Sequence, residues 1–291
     1  MPDAIATTTD LRAALHGIEG FVLDTDGVLI LRGRPIPGSI EALRTLEARG
    51  IPFRVVTNFS LAHRATLARR FAEADGLVLD PDRIITASSA AAVHTASAFA
   101  GQPLFVLAAP DARREFDGQH LLSPEEAAVA PNGSVAAVVI GDAGDDLSYR
   151  NMSIAFRLVR DGAAFLAMHR NPWWFTPEGV TLDAGAFVVG LEYSLGRQAL
   201  VLGKPSPVVF RQALAGIRVD LGRHVPAASV AMVGDDPEAD VRGAQRIGLR
   251  GVLVLTGKVG AADVAGLSAG RRRRPPDAIA RSLADVVVAL D

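Results

Sequence analysis

The chain of 291 residues contains no cysteine. That excludes disulfides, thiolate metal sites and a thiol nucleophile, and it fits a reducing compartment. Long hydrophobic runs are missing too: none approaches the roughly 18 residues of a membrane span. The opening MPDAIATTTD lacks the basic-then-apolar order of a secretory signal, so no membrane partner and a cytoplasmic location are expected. Charge is nearly balanced, at a formal net −2, which argues against a nucleic-acid surface. One basic run, Arg271 to Arg274, is followed by Pro275 and Pro276. It reads as a solvated loop, with an anion or partner patch as the alternative. No internal repeat is visible, and no Gly-rich dinucleotide fingerprint follows the first apolar segment.

What is present is an alternation. At 49% hydrophobic residues, the chain has enough apolar surface for a packed core and for two domains. FVLDTDGVLI, residues 21 to 30, reads as a buried strand carrying Asp24 and Asp26 on one side, since strand side chains alternate. IPGSIEALRTLEARG then has Ile40, Leu43 and Leu46 at helical spacing, with Gly38 and Ser39 at its start and Gly50 at its end. IPFRVVTN is a second strand ending at Thr57 and Asn58, and Ser60 is placed to cap a helix through LAHRATLARRF. Near the other end, ASVAMVGDD reads as a strand, ADVRGAQRIG as a helix and GVLVLTG as a further strand. PDAIARSLADVVVAL suggests a closing helix. Such alternation predicts an α/β fold with a doubly wound parallel sheet. Between them, PLFVLA, SVAAVVIGD and AAFLAMH read as strands and SYRNMSIAFRLVRDG as a helix. The Ala-rich TASSAAAVHTASAFA reads as an ordinary helix. A second, inserted α/β unit is therefore expected over residues 81–195, within a core of 1–80 and 196–291.

Four polar groups fall at or beside strand ends, where open α/β sheets bind ligands: Asp24 with Asp26, Thr57 with Asn58, Lys204, and Asp235 with Asp236 and Asp240. Each alone is weak, because an acid at a strand end is often a helix cap and a lone lysine is usually solvated. Converging carboxylates repel one another unless a cation neutralises them. Hard oxygen donors without cysteine favour Mg²⁺, which commonly takes one or two carboxylates and a phosphate oxygen. A lysine and a hydroxyl–amide pair beside it describe a phosphate pocket, and hence phosphoryl transfer.

DTDGV, VTN, GKP and GDDPEAD, in that order, resemble the four motifs of haloacid dehalogenase superfamily hydrolases, and the resemblance covers nearly the whole chain. The insert, with DAGDDLSYRNMSIAFRLV and LDAGAFVVGLEY, resembles the type C2 α/β cap of the type IIA phosphatases. The resemblance implies a Rossmann-like core with Asp24 as nucleophile and Asp26 as general acid and base. It implies Mg²⁺ held by Asp24, the Asp26 main-chain carbonyl and Asp235, with Asp240 and Asp236 orienting that shell. Thr57 and Asn58 would bind phosphate, and Lys204 would bind it while neutralising the nucleophile. A small phosphorylated substrate and a homodimer through the cap are implied in the same way.

The chain departs from that pattern at three places. Its nearest branch usually carries serine where this chain has Asp26, which favours a competent phosphatase over transfer of that branch's substrates. Phe59 replaces a polar residue. HRNPWWFTPEG replaces a more basic cap stretch and sets Trp173 and Trp174 at paired tyrosine positions. They are candidates for stacking on substrate; packing within the protein or at a dimer contact is the alternative. His169 reads as structural. Asp26 and Asp235 speak against a true dehalogenase, the long insert after VTN against a phosphomutase, and Asp26 against a transport ATPase. A non-catalytic phosphate-ligand-binding or scaffold protein is the remaining alternative, although it would be expected to lose a motif acid.

Overall fold

The computed structural model describes residues 8–176, 179–264 and 274–291. Among them the chain forms fourteen strands: β1 (Gly20–Leu23), β2 (Ile30–Leu31), β3 (Arg34–Pro35), β4 (Phe53–Thr57), β5 (Ile84–Thr86), β6 (Leu104–Leu107), β7 (Ala137–Ile140), β8 (Ala164–Ala167), β9 (Trp173–Thr176), β10 (Gly179–Leu182), β11 (Leu200–Val201), β12 (Val230–Gly234), β13 (Arg250–Val254) and β14 (Ala278–Ala280). The chain divides into two compact units. One takes the residues up to Thr57, Ala68–Ile85 and those from Lys204 onward; the other takes Asn58–Leu67 and Thr86–Gly203.

In the first unit six strands lie in the order β14-β13-β12-β1-β4-β5, and the pairings from β14 through β4 are parallel. Parallel strands covered on both faces read as continuous apolar runs, and Phe21, Val22 and Leu23 are all fully buried. The helix Pro207–Leu221 packs on β1 and β4, and Leu283–Val288 packs on Ser39–Ala48. Chain order reverses around β1, which lies between β12 and β4; such a switch point leaves a crevice at the carboxyl ends of the strands.

Strand lengths deepen that crevice. Leu23, the last residue of β1, is level with Val233 and Val55, while β12 continues to Gly234 and β4 to Thr57. The acids of FVLDTDGVLI therefore do not share a strand face as expected. They lie in a loop, because Gly27 at φ +76° turns the chain and the Thr25 carbonyl accepts the N–H groups of Leu29 and Ile30.

One strand of the sheet buries a charged side chain. Arg54 on β4 is buried, and its guanidinium donates to both carboxylate oxygens of Asp220, at 2.5 and 2.9 Å, and to the Gly216 carbonyl at 2.9 Å. A Cβ at Gly216 would overlap that guanidinium, so glycine there makes room for the ion pair. Replacing Asp220 by Asn is expected to cost about 1–2 kcal/mol, since it weakens a charge-assisted bond to a buried cation. Chiefly through its bond to Arg54, Asp220 is held below the ordinary carboxylate value of 3.8. The contribution is thus complete above that value and is lost as pH falls through the depressed one. Urea denaturation at pH 7 and at pH 3 checks both parts: the variant should be the weaker at pH 7 and the difference should shrink at pH 3.

Three other expectations need correction. The closing helix over PDAIARSLADVVVAL is instead β14 followed by a helix over Leu283–Val288. Ala278–Ala280 pairs with β13, and the Ser282 hydroxyl caps the helix by accepting the Asp285 N–H. ADVRGAQRIG opens on a π-helical turn, Pro237–Arg242, and becomes α-helical only at Gly243–Gln245. Ser60 does not cap the following helix, which begins at Arg64; the Asp111 and Glu115 carboxylates accept the His63 and Arg64 N–H groups there. Residues 271–273 of the basic run lie outside the described residues, and Arg274 donates to Asp277 at 2.9 Å.

The second unit holds the parallel sheet β11-β8-β7-β6 and the antiparallel hairpin β9–β10. Phe105, Val138 and Ile140 of the sheet form its core with Ile154, Leu158 and Val188 from the helices Tyr149–Arg160 and Ala184–Leu195. Trp173 and Trp174 lie on β9 opposite Leu182 and Thr181, and Trp173 is half exposed. No helix of the described residues is long and apolar enough to cross a membrane.

Candidate active site

The carboxyl ends of β1 and β12 deliver the acids. Asp24 is buried, and its N–H donates to the Val233 carbonyl at 3.0 Å, which locks the loop onto β12. The Thr25 N–H donates to Asp24 Oδ1 at 2.6 Å, and Lys204 Nζ lies 2.5 Å from the same oxygen. Lys204, 5% exposed, also reaches Asp240 Oδ1 at 2.8 Å. Asp240 sits in the π-helical turn after β12 and is fully buried, and its other oxygen accepts the Asp236 N–H at 3.1 Å.

Asp24, Asp235 and Asp240 each offer an oxygen, and these oxygens lie within 4.8 Å of one another. One ammonium stands against three buried carboxylates, so the cluster carries excess negative charge. Burial first, and then mutual repulsion, raises Asp24 and Asp235 above the ordinary carboxylate range, although Lys204 pulls Asp24 down and the Lys258 N–H pulls Asp235 down. Asp240 is pushed up to about 7 by burial and by Asp24, against Lys204. Burial disfavours the Lys204 ammonium, but Asp24 and Asp240 outweigh it and hold its pKa above the usual lysine value. A hard divalent cation fits this set: all donors are oxygens, and added positive charge offsets the desolvation and the repulsion together.

Asp26 stands at the rim, exposed to solvent. Crowding by the protein raises its pKa, Asp235 adds to the rise, and Lys204 and Lys258 oppose it. Asp236 caps the turn by accepting the N–H groups of Glu238 and Ala239, and it pairs with Lys258 Nζ at 2.7 Å. That pairing holds it below the ordinary range in spite of burial. Thr57 ends β4 beside this crevice, and Asn58 follows it in the chain.

Sequence reasoning assigned no role to the loop after β13. The Lys258 N–H donates to Asp235 Oδ2 at 2.7 Å, and the Thr256 hydroxyl donates to the Gly27 carbonyl. A Cβ at Gly27 or at Gly257 would overlap the Asp235 carboxylate. Two loops thus close on that acid only because both carry glycine, and at Gly27 the positive φ demands glycine as well. The TGK that follows the strand in GVLVLTGK was the available signal. Nothing local to it, however, points at an acid more than twenty residues away. The tryptophans belong to the second unit and are not part of this cluster.

Two family models match the chain. A haloacid dehalogenase-like hydrolase model covers residues 21–121, and a related hydrolase-like model covers residues 201–286. The mouse haloacid dehalogenase-like hydrolase domain-containing protein 2 is 34% identical over 86% of this chain and 89% of its own. Human phospholysine phosphohistidine inorganic pyrophosphate phosphatase is 33% identical over 84% of this chain and 85% of its own. Among solved structures, a 4-nitrophenylphosphatase from Thermotoga maritima superposes with a TM-score of 0.80 at 30% identity, covering 96% of this chain and 99% of that one.

Proposed function

Since the chain belongs to the haloacid dehalogenase-like hydrolases, as a phosphatase of their type IIA group, we propose that it hydrolyses a small phosphorylated metabolite through a phosphorylated Asp24, with Mg²⁺ as cofactor. The observation that carries this reading is the buried cluster of Asp24, Asp235 and Asp240 with Lys204 against two of them.

In this reading Asp24 attacks phosphorus and forms an acyl-phosphate, which splits one hard step into two. Lys204 neutralises Asp24 and the transferring group, and Thr57 and Asn58 hold phosphate oxygens. Asp24, the Asp26 carbonyl and Asp235 would hold the metal ion, which when bound supplies positive charge to the phosphate oxygens and to the acids around it. Asp240 positions Lys204 and the Asp236 amide, and Asp236 anchors the turn. Asp26 donates a proton to the leaving oxygen and then takes one from the attacking water. Crowding by the protein, with Asp235 adding to it, pushes its pKa upward, the direction a general acid needs.

Asp26→Asn is expected to lower kcat roughly 10²- to 10⁴-fold for alkyl phosphates. The loss should be smaller for 4-nitrophenyl phosphate, whose leaving group departs without a proton. Steady-state kinetics on both ester types checks this, and equal losses would remove the general-acid role.

Substrate charge can be narrowed further. Arg170 of HRNPWWFTPEG is already engaged by Glu192 at 2.6 Å, so this stretch offers little free positive charge. Monoesters of low charge are the favoured class, with Trp173 and Trp174 as candidates for selecting among them. Phosphate release across a panel of phosphorylated metabolites, with Mg²⁺ and with chelator, tests the reading. Clear preference for pyrophosphate over monoesters would contradict the substrate class. A folded protein that turns over nothing would favour the non-catalytic ligand-binding alternative.

A further inference from the structure

The second unit buries a histidine that has no part in the chemistry above. His169 follows β8 and is 1% exposed. Its Nε2 lies 2.9 Å from Ser60 Oγ and 3.6 Å from Asp183 Oδ1, while Nδ1 accepts the Asn171 N–H at 3.4 Å. With Nδ1 accepting, the proton of a neutral imidazole sits on Nε2, and the nearer acceptor is the Ser60 hydroxyl oxygen. Burial lowers the His169 pKa against the pull of Asp183 and Asp142, which favours the neutral ring. A Ser–His–Asp hydrolytic relay is excluded, because it needs serine and acid on opposite ring nitrogens. Here both face Nε2.

The Ser60–His169 bond fixes a particular turn. Ser60 is three residues beyond Thr57, and the segment between carries Asn58. The Phe59 carbonyl accepts the Ala87 N–H at 3.2 Å. Gly203, the residue before Lys204, donates its N–H to the Met168 carbonyl at 2.8 Å. A Cβ on Gly203 would lie 2.6 Å from both that carbonyl oxygen and the Asn58 amide oxygen. The end of β8 therefore grips two segments at once. Met168 holds Gly203, and His169 holds the Asn58–Ser60 turn, with the Asn58 amide packed against Gly203 between them.

We infer that His169 is a positioning residue for phosphate binding, setting the Asn58 turn through Ser60 from the end of β8. The inference rests on the reading that Asn58 receives a phosphate oxygen. It makes the buried imidazole a strut rather than a reactant, and it assigns Ser60 to the same strut.

The test compares Ser60→Ala, His169→Gln, His169→Leu and the double variant Ser60→Ala/His169→Leu with the wild type. Inorganic phosphate is the probe, both as inhibitor of 4-nitrophenyl phosphate hydrolysis with Mg²⁺ and as stabiliser in thermal melts. Ser60→Ala and His169→Leu should each raise the phosphate inhibition constant and KM about tenfold, the equivalent of one lost hydrogen bond. His169→Gln keeps an N–H donor near Nε2 and should stay within about threefold. The double variant should be no worse than the worse single one, because both remove the same bond. Lower melting temperatures with unchanged KM and inhibition constant would overturn the inference and leave His169 merely structural. If the wild type shows no phosphatase turnover, the proposed function fails separately and the melts still decide. A smaller phosphate-induced shift in Ser60→Ala than in the wild type supports the strut; equal shifts, or none in the wild type, overturn it.

Discussion

Asp24→Asn is expected to lower kcat by about 10⁴-fold or more, the scale of removing a covalent nucleophile, with the fold intact. The substitution keeps shape and an oxygen for the Thr25 N–H, which donates to Asp24 Oδ1 at 2.6 Å. Lys204 keeps Asp240 at 2.8 Å, so the buried ammonium retains a partner. What is lost is the anionic oxygen that would attack phosphorus. Phosphate release at saturating substrate, beside a circular-dichroism melt, separates the two effects. A variant retaining more than about a tenth of wild-type turnover would move the nucleophile elsewhere.

Removing the metal ion is expected to have an effect of similar size on turnover, and its signature in stability is more specific. Asp24, Asp235 and Asp240 are buried and repel one another. In the proposed reading a metal ion held by Asp24 and Asp235 would offset this repulsion, which Lys204 offsets only in part. Mg²⁺ should therefore raise the melting temperature of the wild type, and a chelator should lower it together with activity. At a hundred times its dissociation constant an ion contributes about 2.7 kcal/mol. Asp235→Asn should invert the comparison. Asparagine removes a carboxylate whose pKa is raised by burial and by Asp240, while its amide oxygen can still accept the Lys258 N–H. Without metal the variant should melt above the wild type; with Mg²⁺ it should melt below it and turn over little. An Mg²⁺-induced shift unchanged in Asp235→Asn would remove that residue from the metal site.

How much of this was legible in the sequence follows from what is local. Asp24, Lys204, Asp235 and Asp240 were readable because they stand next to apolar strands and glycines, and strand ends are where an open α/β sheet gathers polar groups. In the second unit β6, β7 and β8 were readable because they are short apolar runs separated by turns, whereas β9, β10 and β11 were not read as strands. The misreadings arose where a distant partner decides. Ala278–Ala280 fits a helix as well as a strand until β13 offers an edge to pair with. Ser60 looks like a helix cap until His169 claims its hydroxyl. FVLDTDGVLI looks like one strand because its composition hides the turn at Gly27. β5, only three residues long, passed unnoticed within VLDPDRIITA. The closure of Gly27 and Gly257 on Asp235 depends on two loops meeting, and no spacing in the chain announces it.

The most direct test of the central claim is to trap the covalent intermediate. Acid quenching during steady-state turnover, followed by borohydride reduction, converts an aspartyl-phosphate to homoserine at the position that carried it. Peptide mass spectrometry should find that change at Asp24 in the presence of Mg²⁺ and substrate, and should not find it after chelation. Labelling at another acid, or turnover with no labelled residue, would contradict an account in which Asp24 takes the phosphoryl group.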